Sequence, residues 1–151
     1  MAVRLGLDAK LYRNTGTIGS SLWSEVSNVR DVTLNLETGE ADVTTRGNDG
    51  WRATVGTLKD AGIEFEMVWD TEDSNFAAFK DAFFDGTPIE LLVADGNMGD
   101  AGSQGLRAVC RIITFSRSEA LEEAITVSVT AKPTYSTSPP EWVVGPIDFD
   151  A

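Results

Sequence analysis

Residues 62–70 read GIEFEMVWD, with Ile63, Phe65 and Met67 on the odd positions and Glu64 and Glu66 on the even ones. Successive side chains of a strand point to opposite faces, so this stretch predicts a strand that is oily on one wall and charged on the other. The same period of two sets Val32, Leu34 and Leu36 against Asp31, Thr33 and Asn35 over 29–36, and Ile125, Val127 and Val129 against Thr126, Ser128 and Thr130 within 121–132. The ETGE that separates 29–36 from a second alternating run, 41–46, offers Gly39 for a tight turn and predicts a hairpin. Further strands are expected at 4–12, 63–69, 89–94 and 106–115. The last, LRAVCRIITF, carries large apolar side chains on both faces, which places it centrally in a sheet or under cover on both sides.

One helix interrupts the alternation. In DTEDSNFAAFKDAFFDGTP, Asp73 or Ser74 supplies a cap, Phe76, Phe79 and Phe83 recur at i, i+3 and i+7, and Gly86 followed by Pro88 ends the element. This aromatic stripe reads as the face that covers one side of the β structure. Residues 44–62 hold four glycines and little periodicity, which predicts a long loop, and a loop of that length in a compact domain is usually functional. Residues 95–105 are nearly all turn formers. The expected division is a β domain over 1–136 and a Pro-rich arm over 137–151, anchored by Trp142, Val143 and Val144 and laid on a surface.

Composition narrows the function. Acidic residues outnumber basic ones by 24 to 12 in 151 residues, a net charge of −12, which opposes a protein that grips nucleic acid by displacing counterions. An acidic surface also simply keeps a protein soluble. Histidine is absent, removing the commonest general base and metal ligand together. A single cysteine, Cys110, rules out an internal disulfide. No apolar run approaches the roughly 18 residues that a spanning helix needs, so a soluble protein made inside the cell, with no membrane partner, is expected.

The remaining chemistry is thin. Paired acids such as Glu64/Glu66 or Glu122/Glu123 arise by chance among so many carboxylates, and a solvated wall is their simplest meaning. Residues 95–105 fail the EF-hand pattern at the fifth and sixth positions, where Gly99 and Asp100 stand, and a plain flexible connection is expected there. Cys110 sits mid-strand, as a small buried hydrophobe would. No catalytic residue, cofactor site or metal site is expected. Trp51 and Trp142 are the aromatics left outside the core; they suit either a subunit contact or a glycan platform.

The run DVTTRGNDGWRATVGTLKDAGIEFEMVWD, the helix after it, GTPIELLVAD and GSQGLRAVCRIITFSRSEALEEAITVSVTAKPTY together resemble the major tail tube proteins of long-tailed bacteriophages, in a superfamily shared with the inner tube of type VI secretion. The resemblance spans about residues 26–136. It implies a mainly β subunit, sandwich or barrel-like with one helix packed on it, that assembles with itself into stacked hexameric rings. The rings form a channel that DNA traverses without tight binding, and other tail proteins meet the ends of the tube. It further implies a structural, non-enzymatic virion protein of the tail, assembled in the host cytoplasm. The loop at 44–62 would contact the adjacent ring, with Thr45, Arg46, Trp51 and Arg52 as candidates. Asp31, Thr33, Asn35, Thr126, Ser128 and Thr130 are the lumen-facing candidates, because small polar side chains line a passage without gripping, although the Glu64/Glu66 face is an alternative lining. An inner tube of a contractile injection system and a glycan-binding β-sandwich remain the alternatives.

Overall fold

The computed structural model describes residues 3, 5–17, 22–119 and 121–147. Among them the chain is mainly β: β1 (Lys10–Asn14), β2 (Trp23–Glu25), β3 (Val29–Asp42), β4 (Thr54–Val68), β5 (Ile89–Ala94), β6 (Gln104–Ser118), β7 (Thr126–Pro133) and β8 (Glu141–Val144), with one α-helix, α1 (Ser74–Asp85), between β4 and β5. All strand pairs are antiparallel and follow the order β2-β1-β5-β6-β7-β4-β3, with β8 also paired to β6.

This sheet folds over on itself through β6. The first half of β6 lies against β5 at Gly105–Cys110, and the second half runs along β7 from Cys110 to Ser118. Leu11 and Leu91 from one side therefore share a single core with Ile63, Phe65, Met67, Val127 and Val129 from the other. The helix closes this core. Phe79 is fully buried, its ring 5.2 Å from that of Phe65, while Phe76 lies 4.8 Å from Trp69 and 5.9 Å from Phe115. Asp73 caps the helix by accepting a hydrogen bond from the Asn75 backbone N–H, and Gly86 ends it at φ 67°.

β5 is buried on both faces. Leu91 faces the main core, and Leu92 and Ala94 face a second cluster with Tyr12 and Met98, against which Val143 and Ile147 pack. Met98 is the reason residues 95–103 are more than a plain connection. It is fully buried, and its loop is tied by Ser103 Oγ donating to Asn97 O at 2.8 Å and Gln104 N–H to Asp95 Oδ1 at 2.9 Å. Below it, Arg107 bridges three segments: its guanidinium lies 3.7 Å from the buried Glu90 carboxylate, donates to Pro139 O at 2.9 Å and reaches Glu141 at 3.5 Å.

Several sequence expectations are corrected. ETGE is not a turn: β3 runs unbroken through it, and the long loop expected over 44–62 is only 43–53, because β4 begins at Thr54. Gly39 has no left-handed φ; it sits at a register shift, where a Cβ would meet Thr57 Oγ1 at 2.5 Å, so the glycine serves close approach of two strands. The first strand is Lys10–Asn14 rather than 4–12, since Gly6–Asp8 forms a 3-10 turn; Arg4 lies outside the described residues. Likewise β7 starts at Thr126, five residues later than expected, with Leu121 fully exposed.

Truncating Phe79 to Ala should cost about 3–5 kcal/mol of stability, whereas the same change at Phe84, 73% exposed, should stay within about 0.5 kcal/mol. Urea unfolding of the purified protein, followed by tryptophan fluorescence, measures both.

Candidate functional site: the polar wall and the hairpin tip

Residues directly opposite one another in an antiparallel ladder share a face, so the registers define the outer wall of β6-β7-β4-β3 row by row. One row reads Thr114, Thr130, Glu64 and Thr33. The next reads Ser116, Ser128, Glu66 and Arg30, and a third adds Ser118, Thr126 and Val68. Asn35 lies opposite Gly62 one row further along. The polar candidates Thr33, Asn35, Thr126, Ser128 and Thr130 thus belong to the same wall as Glu64 and Glu66, and the two linings weighed from sequence are one surface. Ile63, Phe65 and Met67 are buried behind it. Glu64 is exposed, and Glu66 is half-exposed with Arg30 3.9 Å away.

Asp31 stands apart. Arg30 pairs with Glu66 and Thr33 with Glu64, so Asp31 and Val32 together oppose the single residue Phe65 in a bulge. Asp31 takes φ 35°, a left-handed conformation that Asp tolerates better than most residues. The bulge is what lets Arg30 and Thr33, an odd number of residues apart, lie on the same wall. A matching bulge in β6 expels Ile113, which is 55% exposed.

The second feature is the hairpin. β3 and β4 are paired from Val29/Met67 to Asp42/Thr54, and beyond Leu36 nearly every residue of the two strands is exposed, so the outer half projects from the body as a free arm. Thr45, Arg46, Trp51 and Arg52 come together at its tip, where they line one shallow recess with Thr44 and Gly50. The tip has its own scaffold: Val43 N–H donates to Ala53 O at 3.0 Å, Ala53 N–H to Thr44 Oγ1 at 2.9 Å, and Asn48 Nδ2 to Trp51 O at 2.8 Å. Asp49 and Gly50 reverse the chain at φ 50° and 80°. Hydrogen bonds from the Thr44 side chain and backbone hold the Asp42 carboxyl below its usual pKa. Trp51 is 76% exposed, and among the described residues neither Arg46 nor Arg52 makes an ion pair.

Sequence reasoning missed Arg30, Thr114 and Ser116 on the wall; the alternation in ITFSRS carried a signal for the last two. Among the described residues no group of acids or cysteine is arranged to hold a metal, and no helix is long and apolar enough to cross a membrane. Cys110 is buried, and burial pushes its thiol up to about 12. It should resist a thiol-reactive disulfide reagent at pH 8 in the folded protein and react in full after denaturation; fast labelling of the native chain would contradict its placement.

The comparisons with known proteins agree with this geometry. The family described as "Phage tail tube protein" matches residues 11–134. Among solved structures, the tail of an empty gene transfer agent particle, refined with C6 symmetry, is 18% identical and aligns over 94% of this chain and all of its own, with a TM-score of 0.72. The SPP1 tail tube is 16% identical over 97% of this chain and 82% of its own, with a TM-score of 0.73. A protein of the anti-feeding prophage baseplate, 6% identical over 95% of this chain and 98% of its own, has a TM-score of 0.59. No curated protein sequence matches the chain. The chain belongs to the phage tail tube protein family, whose members are structural components of the virion tail.

Proposed function

We propose that this subunit builds a tail tube from stacked six-fold rings and that the Thr33–Glu64–Thr130 wall lines the channel through which DNA passes. The observation that carries the reading is a four-stranded wall whose outer face is mostly polar, with an unfilled ladder at each side. β3 has no outer neighbour among the described strands, and β6 has none beyond Cys110 on the side that β5 occupies earlier. Long open edges invite pairing. Joining β3 of one copy to the second half of β6 in the next is a contact between two different patches, and such a contact closes into a ring when the rotation allows. The C6 symmetry of the gene transfer agent tail supports six copies per turn.

Thr33, Asn35, Thr126, Ser128 and Thr130 then face the lumen with Glu64 and Glu66, and Asp31 borders them at the bulge. Hydroxyls and carboxylates release no phosphate counterions, so DNA finds little to hold it. The screening length at physiological salt is about 8 Å, so the carboxylates repel only DNA that comes close. The hairpin tip, with Thr45, Arg46, Trp51 and Arg52, reaches the adjacent ring. Residues 1–136 act as the tube-building domain, and the arm from 137 straps its outer side through β8. No enzymatic step belongs to this reading.

The family match favours a phage tail over a contractile injection system. A glycan platform is disfavoured because Trp51 and Trp142 line separate recesses and do not form one stacking surface.

Negative-stain microscopy and sedimentation of the purified protein should show rings and tubes that grow with concentration; a chain that remains monomeric at high concentration in every salt tested contradicts the proposal. Replacing Ser128 and Thr130 with Lys should leave tubes intact yet make them retain DNA at low salt, with retention falling steeply as salt rises. Unchanged retention would place this wall away from the channel.

A further inference from the structure

The dry side of the wall is unfinished at the same two margins as its ladders. On the inner strands it is sealed, with Ile63, Phe65 and Met67 of β4 and Val127 and Val129 of β7 all buried. At the β3 margin it is not. Leu34 stands opposite Ile63 and Val29 opposite Met67, yet both are only partly buried, and Leu36, next along the same face, is 54% exposed. Two recesses of about 570 and 580 Å³ open along this margin, one between Val29, Val32 and Val93 and the other between Leu36, Ala61 and Trp142.

The β6 margin has the opposite relief. Phe115 stands opposite the buried Val129, hence on the dry side, and Phe83 of the helix stacks on it with ring centroids 6.1 Å apart. Phe84 meets Phe83 edge-on at 5.3 Å and projects into solvent. β5 begins at Ile89, paired with Cys110, three residues after the helix cap at Gly86, so the helix ends where β6 loses β5. Ile113, in the bulge of β6, is exposed at the same margin. One side of the layer is therefore an apolar hollow and the other an apolar knob.

Their charges are also complementary. Asp81, one turn before Phe84, and Asp85, just after it, are both exposed. Lys80 lies 4.0 Å from Asp81, whereas Asp85 has no ion pair among the described residues, although Arg111 approaches the neighbouring Gly86. At the hollow, Lys59 shares the Leu36/Ala61 face through its pairing with Thr38, and it too has no ion pair among the described residues.

We propose that the Phe84 end of the helix in one copy seats over β3 of the next, with the ring against Leu34 and Leu36 and Asp85 toward Lys59. The seating rests on the reading that β3 of one copy meets the second half of β6 in another. That join puts helix and hollow behind one continuous sheet, with the joined strands about 4.8 Å apart. The occupant is a second copy because knob and hollow lie on opposite margins of one layer, and a contact between two different patches closes when the rotation allows. Backbone edges then fix direction and register, while an aromatic side chain supplies the apolar centre of the interface.

Two measurements on the full chain test this. With benzoylphenylalanine in place of Phe84, irradiation of the assembled protein should join separate chains, with the second attachment inside residues 29–38. The products should form a ladder on a denaturing gel that stops at six chains, as C6 closure requires. Attachment elsewhere, a ladder that continues past six, or intact rings without crosslinks overturns the seating. Separately, Phe84→Asp should keep the circular dichroism and melting temperature of the dilute subunit, yet raise the concentration at which rings form at least ~10-fold. Rings from Phe84→Asp at the parent's concentration overturn the seating and leave ring assembly standing. A parent chain that forms no rings overturns the assembly reading itself.

Discussion

A carboxylate and a phenylalanine on neighbouring residues of one strand must meet different media, and that constraint on β4 organises the molecule. Burying Glu64 or Glu66 without a partner would cost several kcal/mol each, so their face stays in water. Ile63, Phe65 and Met67 are then forced inward, where β7 supplies Val127 and Val129 in register and α1 supplies Phe76 and Phe79. Once β4 is fixed this way, β3 and β6 inherit the orientation through the ladder, with two bulges absorbing the places where their own sequences fall out of phase. The product is a layer with one sealed face and one wet face, open at both sides.

Those open sides turn a fold into a building unit. An isolated subunit with a long unpaired β3 carries an aggregation hazard unless copies of itself satisfy the ladder. The projecting arm leaves Trp51 76% exposed at its tip.

The wet and dry faces were legible wherever alternation was strict: 63–69, β3 beyond its bulge at 33–36, and the start of β7 read directly from side-chain order. The helix was legible too, because Phe spacing, the Asp73 cap and Gly86 agree. Glycine misled the reading of 37–62. Gly39 reads as a turn former and Gly56 and Gly62 as part of a long loop, whereas in the structure all three lie within paired strands, at Gly39 because a side chain would collide with Thr57. Propensity is local, and the pairing of β3 with β4 across a long hairpin outweighs it. β2 and β8 are too short for periodicity to register, and β8 depends on the distant partners Gln104 and Arg107. The tip candidates Thr45, Arg46, Trp51 and Arg52 do assemble on one loop, around a recess that only the reversal at Asp49 and Gly50 creates.

The claim on which the account rests is that the Thr33–Glu64–Thr130 wall faces a channel. A helical reconstruction of assembled tubes at side-chain resolution tests it most directly. The account predicts density for Glu64, Thr130 and Thr33 on the inner surface, with β3 of each copy hydrogen-bonded to β6 of its neighbour. Finding those side chains on the outside of the tube, or sealed between subunits, would contradict it.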